Sequence, residues 1–592
     1  MTRSSPFSAL LIAVVAAFTG IAHAYDAPLP DIGSSAGTVA SPEEQRQYGF
    51  YMLHELRNQN AVLEDELVRD YLNTLGYRLV AFSPKPDQPF TFFTMRDNAI
   101  NAFALPGGFV GVNIGLITMT NTEDELAAVL AHEISHVTQN HLIRAVEAEQ
   151  KMTPLMVLAM IGAIAAASHQ NPYSTSNADM GAIATVQALA AQMQINFTRA
   201  DEREADRIGI NLLAKANFEP DAMAEVFETM QRAIRPTFDE NDVPALLQDH
   251  PVTTDRISEA KARAAVIKKD YKPTVVVGRV QETGKNLPAL TPDSASALQQ
   301  RSGSAAALPL APVLDPTSGV VAASLVDSAE RRQQQRERSQ NYYLLMRERV
   351  RVLGNDHSAE SVRYYEENLH NTAGFDTPAT RYGLALALVR SGRAKDALEP
   401  LKKLVASEPD NLAYQLAYAD AELYAGERDA ALQRYARLEK DYPGNRTLAL
   451  AHAQALLYEK EKTAAHQAQE LLRPQLSRND DDPLIQTAFG HASDLAGDSV
   501  RAGESYALAA YLNGRAEDAL NQLKDLTNRT DLDYYQRKRI EALIEQMTPL
   551  VLDLRRHRIK PADQGKFDSG FSVCFSTGCD TASSARNNSA VQ

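Results

Sequence analysis

The sequence predicts a mainly α-helical chain in two parts. The first is an α+β domain in which a long capped helix lies beside a small β-sheet; the second is an α-helical repeat solenoid. Three observations carry that reading. Apolar residues recur at helical spacing through most of the chain. One stretch, from about residue 90 to 114, is instead rich in aromatic, β-branched and Gly residues. Beyond about residue 375 a pattern returns every 34 residues.

At 592 residues the chain is too long for one core, and its hydrophobic fraction of 44% excludes wholesale disorder. A net charge of −15 argues against nucleic acid as a partner, because phosphate binding needs a basic face. The 2 Cys exclude a disulfide scaffold and a Cys-rich zinc protein, so any metal must rest on His and carboxylates.

Arg3, the apolar run Ala9 to Ile21 and the small residues of Ala22-His23-Ala24 have the layout of a secretory signal peptide cleaved after Ala24. The run is shorter than the ~20 residues that a spanning helix needs. In a bacterium with two membranes, export places the chain in the periplasm. Ser41 to Phe82 reads as helical, with Leu53, Leu56, Leu63, Leu67 and Leu72 on a drifting period. Phe90 to Met95 and Ala99 to Ile114 read as short strands, the second stretch broken by Pro106-Gly107-Gly108. Thr122 and Glu125 form a capping box that opens a long helix carrying Leu126, Val129, Leu130, Ile134 and Val137.

The apolar stretch Pro154 to Ala167 is too short to span a bilayer and reads as a buried or interfacial helix, which leaves peripheral membrane contact open. Residues 172–181 read as a loop, and helix runs from near Met180 to about Lys269. A Pro-, Ser- and Ala-rich linker follows, and helix returns after about Ala329.

Gly392 and Gly426, Ala397 and Ala431, Leu398 and Leu432, Pro409 and Pro443, and Asn411 and Asn445 recur 34 residues apart. That is the tetratricopeptide period, with small residues where paired helices touch and Pro closing the second helix. Gly497 with Ala502 and Gly514 with Ala519 repeat the offset less regularly. Such arrays present surfaces for peptides and partner proteins. The divisions are therefore 1–24 as signal peptide, 25–271 as the α+β domain, 272–328 as a flexible linker, 329–555 as the repeat domain and 556–592 as a disordered tail. Cys574 and Cys579 in that tail can close a small loop in an oxidising compartment, or lie idle.

Chemistry is concentrated in His132-Glu133-Ile134-Ser135-His136, inside the helix that starts at Thr122. Two His at i and i+4 project from one face and can reach one tetrahedral Zn²⁺, with Glu133 placed to take a proton from water. A hydrolytic site needs a third protein ligand and an open fourth position. The variant with Gly and His further along fails, because Gln139 and Leu142 stand there. Glu202-Arg203-Glu204-Ala205-Asp206 offers two acids at i and i+4, so that Glu202 can bind the metal while Asp206 orients a ligand His. Taken alone, such a pair is usually a solvated helix face. His141 lies five residues past His136, about 140° round a continuous helix, and is expected to face away.

His-Glu-x-x-His followed by Glu-x-x-Ala-Asp, with Asn101-Ala102-Phe103-Ala104-Leu105-Pro106-Gly107-Gly108 upstream, resembles the zinc peptidases related to the CAAX prenyl protease and their soluble periplasmic cousins. The resemblance covers residues 28–270 strongly and 375–550 as repeat architecture. It implies a zincin-like metalloprotease fold holding one Zn²⁺ per chain. His132, His136 and Glu202 would be its ligands, Glu133 the catalytic base and Asp206 the acid behind a ligand. It also implies that Asn101, Ala102 and Phe103 lie at an edge strand to which an extended substrate adds. Gly107 and Gly108 suit close backbone approach.

His250, before Pro251, reads from the residues alone as a loop histidine, whereas the resemblance implies an extra zinc ligand that closes the site. The implied substrates are unfolded or misassembled outer-membrane β-barrel proteins, and the repeats would engage their assembly machinery. The rival expectation is a repeat chaperone or scaffold whose metal site is latent or structural. Glu133 discriminates, since a structural site has no use for a carboxylate beside its ligand.

Overall fold

The computed structural model describes residues 41–148, 199–234, 250, 252–270, 329–458, 460–478, 481–556, 574–575 and 578–579. The signal peptide, the 154–167 stretch and the 272–328 linker lie outside the described residues. Among those described, no helix is long and apolar enough to cross a membrane.

The described chain is mainly helical, with one mixed sheet near its start, as the sequence predicts. The stretch read as a single helical run is two helices, α1 (Pro42–Asn58) and α2 (Glu66–Val80). Asn60 breaks it at φ +55, and Asp65 caps α2 by accepting from the Val68 amide. The drifting period has this cause: Leu53 and Leu56 belong to one apolar cluster, Leu63, Leu67 and Leu72 to another.

The sheet contains β1 (Thr91–Met95), β2 (Ala102–Leu105) and β3 (Phe109–Asn113), in the order β1-β3-β2. β1 runs parallel to β3, and β2 antiparallel to it, with Phe103 opposite Gly111. A Cβ on Gly111 would stand 2.5 Å from the Phe103 ring, so this pairing requires glycine. Gly107 and Gly108 turn the β2–β3 hairpin at φ +75 and +89. Their close approach is to the chain itself, at Arg46 and Pro89.

A short α3 (Ile114–Met119) leads into α4 (Glu123–Thr138), which starts where the sequence places it. Thr122 accepts from the Glu125 amide at 3.1 Å, but Glu125 turns its carboxylate to the Asn121 amide, leaving half of the expected box. α5 (His141–Ala148), α6 (Arg199–Lys215), α7 (Ala222–Ile234) and α8 (Thr254–Asp270) complete the first part.

α9 (Ala329–Leu353) joins the two parts. Its Tyr343 hydroxyl meets Thr120, and its fully buried Arg349 grips Asp65 with two hydrogen bonds of 2.7 and 2.6 Å. Beyond α10 (Ser358–Asn371), the helices recur at a regular interval. α11 (Pro378–Arg390), α13 (Leu412–Tyr424) and α15 (Arg446–Leu457) start 34 residues apart. So do α12 (Ala394–Ser407), α14 (Arg428–Asp441) and α16 (Lys462–Leu476).

The repeated residues have local duties. Asn411 and Asn445 cap α13 and α15, Gly392 and Gly426 make left-handed turns, and Ala397 and Ala431 are fully buried between helices. α17 (Pro483–Ala496), α18 (Ser499–Leu512), α19 (Ala516–Thr527) and α20 (Tyr534–Arg556) extend the array. In the tail, β4 (Cys574–Phe575) pairs antiparallel with β5 (Gly578–Cys579).

The array returns to the first part twice more. At α15, Arg446 meets Glu66 and Asp482, Thr447 meets Asp70, and Arg69 meets Asp482 at 2.7 Å. At its far end Tyr511 packs on Phe50 and His54, Tyr51 on Leu550 and Val551, and Gly514 sits too close to the His54 carbonyl for a side chain. One connected apolar core runs from α2, the sheet, α4, α6 and α7 into α9, α11, α13 and α15.

Candidate metal centre

α4 and α6 build the site between them. A Cβ on Gly209 would lie 3.3 Å from the backbone at Ala131 and His132, and Ala128, Ala131 and Ala205 are fully buried. Small side chains thus let the two helices approach closely, which sets Glu202 and Asp206 of α6 against His132 and His136 of α4. All four side chains are buried.

His132 Nε2 and His136 Nε2 stand 3.0 Å apart. Glu202 lies 3.6 Å from the first and 3.5 Å from the second. His250 Nδ1 is 3.4 Å from His132 Nε2 and 2.7 Å from Glu202 Oε1. All four residues thus offer donor atoms within 4.8 Å of one another. Tetrahedral zinc, with bonds of about 2.0–2.1 Å, holds its ligand atoms about 3.3–3.4 Å apart. Three imidazoles and a carboxylate, shielded from water, therefore fit a metal in both chemistry and spacing.

Electrostatics point the same way. Burial, reinforced by His132 and His250, holds the His136 imidazole well below its usual pKa, which keeps it neutral and able to bind metal. Burial would also lower His250, but the Glu202 carboxylate outweighs it and raises His250 to about 8. Without a metal, a proton on His250 thus balances Glu202.

Asp206 Oδ1 is 3.0 Å from His132 Nδ1, the ring nitrogen turned away from the cluster. Arg256 bonds Asp206 with Nε and Nη2, both at 2.8 Å, and reaches Glu202 with Nη1, also at 2.8 Å. Burial would raise the Asp206 carboxyl; hydrogen bonds from His132 and Arg256 outweigh it and hold it at about 2. Arg256 stacks over Phe227, 4.7 Å from the ring centre. Sequence reading did not single out Arg256. Its place in the helix after His250, opposite two acids on one face of α6, was the available signal.

Glu133 is 1% exposed and shares with His132, His250, Phe227 and Arg256 a cavity of about 10 Å³. That is about the space of one water molecule. Ala102 and Phe103 lie in β2, one of the two outer strands of the sheet, and Asn101 immediately precedes it. β2 packs beside α4.

His141 stays outside the four-residue donor group, as expected, but it meets His136 from behind. Its projection away from the site assumed an unbroken helix, but α4 ends at Thr138 and Asn140 turns the chain at φ +53. His141 Nδ1 consequently comes within 3.1 Å of His136 Nδ1. His141, Asp201 and Glu204 form a second group of metal-ligating side chains, but Arg144 stands 2.7 and 3.3 Å from its two acids and supplies a cation there.

Residues 66–264 match the model of peptidase family M48. The candidate site described above lies within that stretch. The zinc-peptidase resemblance read from the sequence is thereby borne out. The chain is similar to the β-barrel assembly-enhancing protease of Escherichia coli K12, with 38% identity over 248 residues, 42% of this chain and 48% of that protein. The protein of the same name from Yersinia pestis is 38% identical over 240 residues, 40% of this chain and 48% of that one. The mitochondrial metalloendopeptidase OMA1 of Schizosaccharomyces pombe is 33% identical over 163 residues, 28% of this chain and 44% of that protein. The chain spans about half the length of the curated β-barrel assembly-enhancing relatives it matches.

Proposed function

We propose that this chain is a periplasmic zinc endopeptidase that degrades misassembled outer-membrane β-barrel proteins and assists their assembly. The observation that carries the proposal is the convergence of His132, His136, Glu202 and His250, with Glu133 beside them and Asp206 behind. His132, His136 and Glu202 would hold the metal. When bound, zinc supplies Lewis-acid polarisation of the scissile carbonyl and acidifies the attacking water. Glu133 accepts the proton of that water and passes it to the leaving amine. Asp206 holds the Nδ1 hydrogen of His132, and Arg256 keeps both α6 carboxylates in place. An extended substrate adds to β2 as a further strand, with Asn101, Ala102 and Phe103 along its path.

His250 is a regulatory fourth donor. While it stands beside Glu202, the space near Glu133 admits about one water and no peptide. Activity then depends on withdrawing the segment that carries it. The helical array is a tetratricopeptide-repeat domain that engages the substrate or the outer-membrane assembly machinery. The substrate class rests on the names of the relatives, and the compartment on the signal-peptide layout of residues 1–24.

The fourth donor also favours a second reading. Four protein ligands describe a closed structural metal site, and the chain would then act as a chaperone or scaffold through its repeats. Cleavage of an unfolded outer-membrane porin by the full chain and by Glu133→Gln, with zinc measured in both, separates the two. Cleavage by the unsubstituted chain alone, with zinc in both, is expected. No cleavage by either, with His250→Ala also inert despite bound zinc, would establish the scaffold.

A further inference from the structure

The two histidines of α4 are supported differently from behind. His132 turns its Nδ1 to a carboxylate, Asp206, at 3.0 Å. His136 turns its Nδ1 to another imidazole, that of His141, whose side chain is wholly buried. Two nitrogens 3.1 Å apart share one hydrogen, and the outer partner decides which of them carries it. His141 Nε2 stands 3.2 Å from Glu204 Oε2, a carboxylate that only accepts. The hydrogen of a neutral His141 therefore sits on Nε2, and its Nδ1 presents a lone pair to His136.

We infer that His141, held by Glu204, is a positioning residue for His136: it accepts the Nδ1–H of His136 and so fixes that ligand's lone pair on Nε2, toward the metal. The inference rests on the metal-site reading above and extends it to residues outside the His-Glu-x-x-His motif. Hydrogen donation runs one way, from His136 to His141 to Glu204. Arg144, 3.3 Å from Glu204, anchors the outer end. The turn at Asn140 makes the arrangement possible, because only a break in the helix brings a residue five positions on back to the face of His136. Metal-binding histidines generally need such a partner, and its removal weakens metal binding about 10–100-fold.

The test is zinc affinity, measured by competition with a chromophoric chelator on the full chain, for the unsubstituted protein, His141→Ala, His141→Gln and Glu204→Ala. The melting temperature of each metal-free protein reads folding separately. His141→Ala is expected to bind zinc about 10–100-fold more weakly. His141→Gln should recover most of that loss, because its amide oxygen can accept from His136. Glu204→Ala, which removes the acceptor at a partly exposed position, should lose several-fold. Unchanged affinity in His141→Ala would overturn the inference, as would a His141→Gln no better than alanine, which would mean packing alone. Should His141→Ala fail to fold, unchanged affinity in Glu204→Ala overturns it equally. Failure of the unsubstituted chain to bind zinc would instead strike the metal reading itself.

Discussion

Two buried charged clusters sit about α2, α4 and α6, and they differ in kind. In the candidate metal centre, His132, His136, Glu202 and His250 turn donor atoms toward one another. In the cluster where α2 meets α15, Glu66, Asp70 and Asp482 turn their oxygens toward Arg69, Arg446 and Thr447. Both contain buried acids beside an arginine. Only in the first do lone pairs face lone pairs, so only the first calls for an added cation. The direction of the donor atoms, more than the number of acids, marks a metal site.

The comparison breaks most visibly at Arg446. Arg446→Ala leaves buried carboxylates without their counter-ion and is expected to cost about 3–5 kcal/mol of stability in urea unfolding. Zinc content in the surviving folded fraction should not change. A loss below about 1 kcal/mol would mean that water reaches this cluster. Chelation should act in the opposite way. With zinc bound as proposed, its removal should withdraw ligand-linked stability of about 3–4 kcal/mol at 100–1,000 times the dissociation constant. The α2–α15 cluster should be indifferent to it. A double comparison, Arg446→Ala with and without chelator, should therefore give additive losses.

Asp70 sharpens the contrast through pH. Burial, opposed in part by Arg69 and Thr447, raises its carboxyl to about 6. An acid raised on folding contributes stability that is complete below its ordinary pKa, near 4, and is lost as pH rises through 6. Asp70→Asn should remove that slope, at most about 1.4 kcal/mol per pH unit, from stability measured between pH 4 and 7. An unchanged slope would place the titration elsewhere. The smallest effect is expected at His250: His250→Ala should raise porin cleavage several-fold if the histidine shields Glu133. Unchanged cleavage with zinc intact would show that this donor does not limit access.

What the sequence made legible follows from the range of each interaction. His132, Glu133 and His136 could be read because they lie on one capped helix. The 34-residue period could be read because each Gly turn, Ala contact and Asn cap acts within its own helix pair. Glu202 needed a pairing of α4 with α6 that spacing alone does not reveal, and the family resemblance supplied it. His141 was hidden by a local event, the left-handed turn at Asn140, although an Asn just past a helix end is a residue prone to that conformation. The division of α1 from α2 was hidden in the same way by Asn60. The docking of Tyr343 and Arg349 against Thr120 and Asp65 spans more than two hundred residues and leaves no periodic trace.

The helical array touches the first part of the chain at its beginning, its middle and its end. A free solenoid frays from its terminal repeats, since each unit leans only on its neighbours. Here the terminal helices are themselves anchored, by Tyr343 and Arg349 at one end and by the packing of Tyr511 and Leu550 at the other. Amide protons in α18 and α19 should therefore exchange with solvent as slowly as those in α13, and the whole arc should melt together with the domain it embraces.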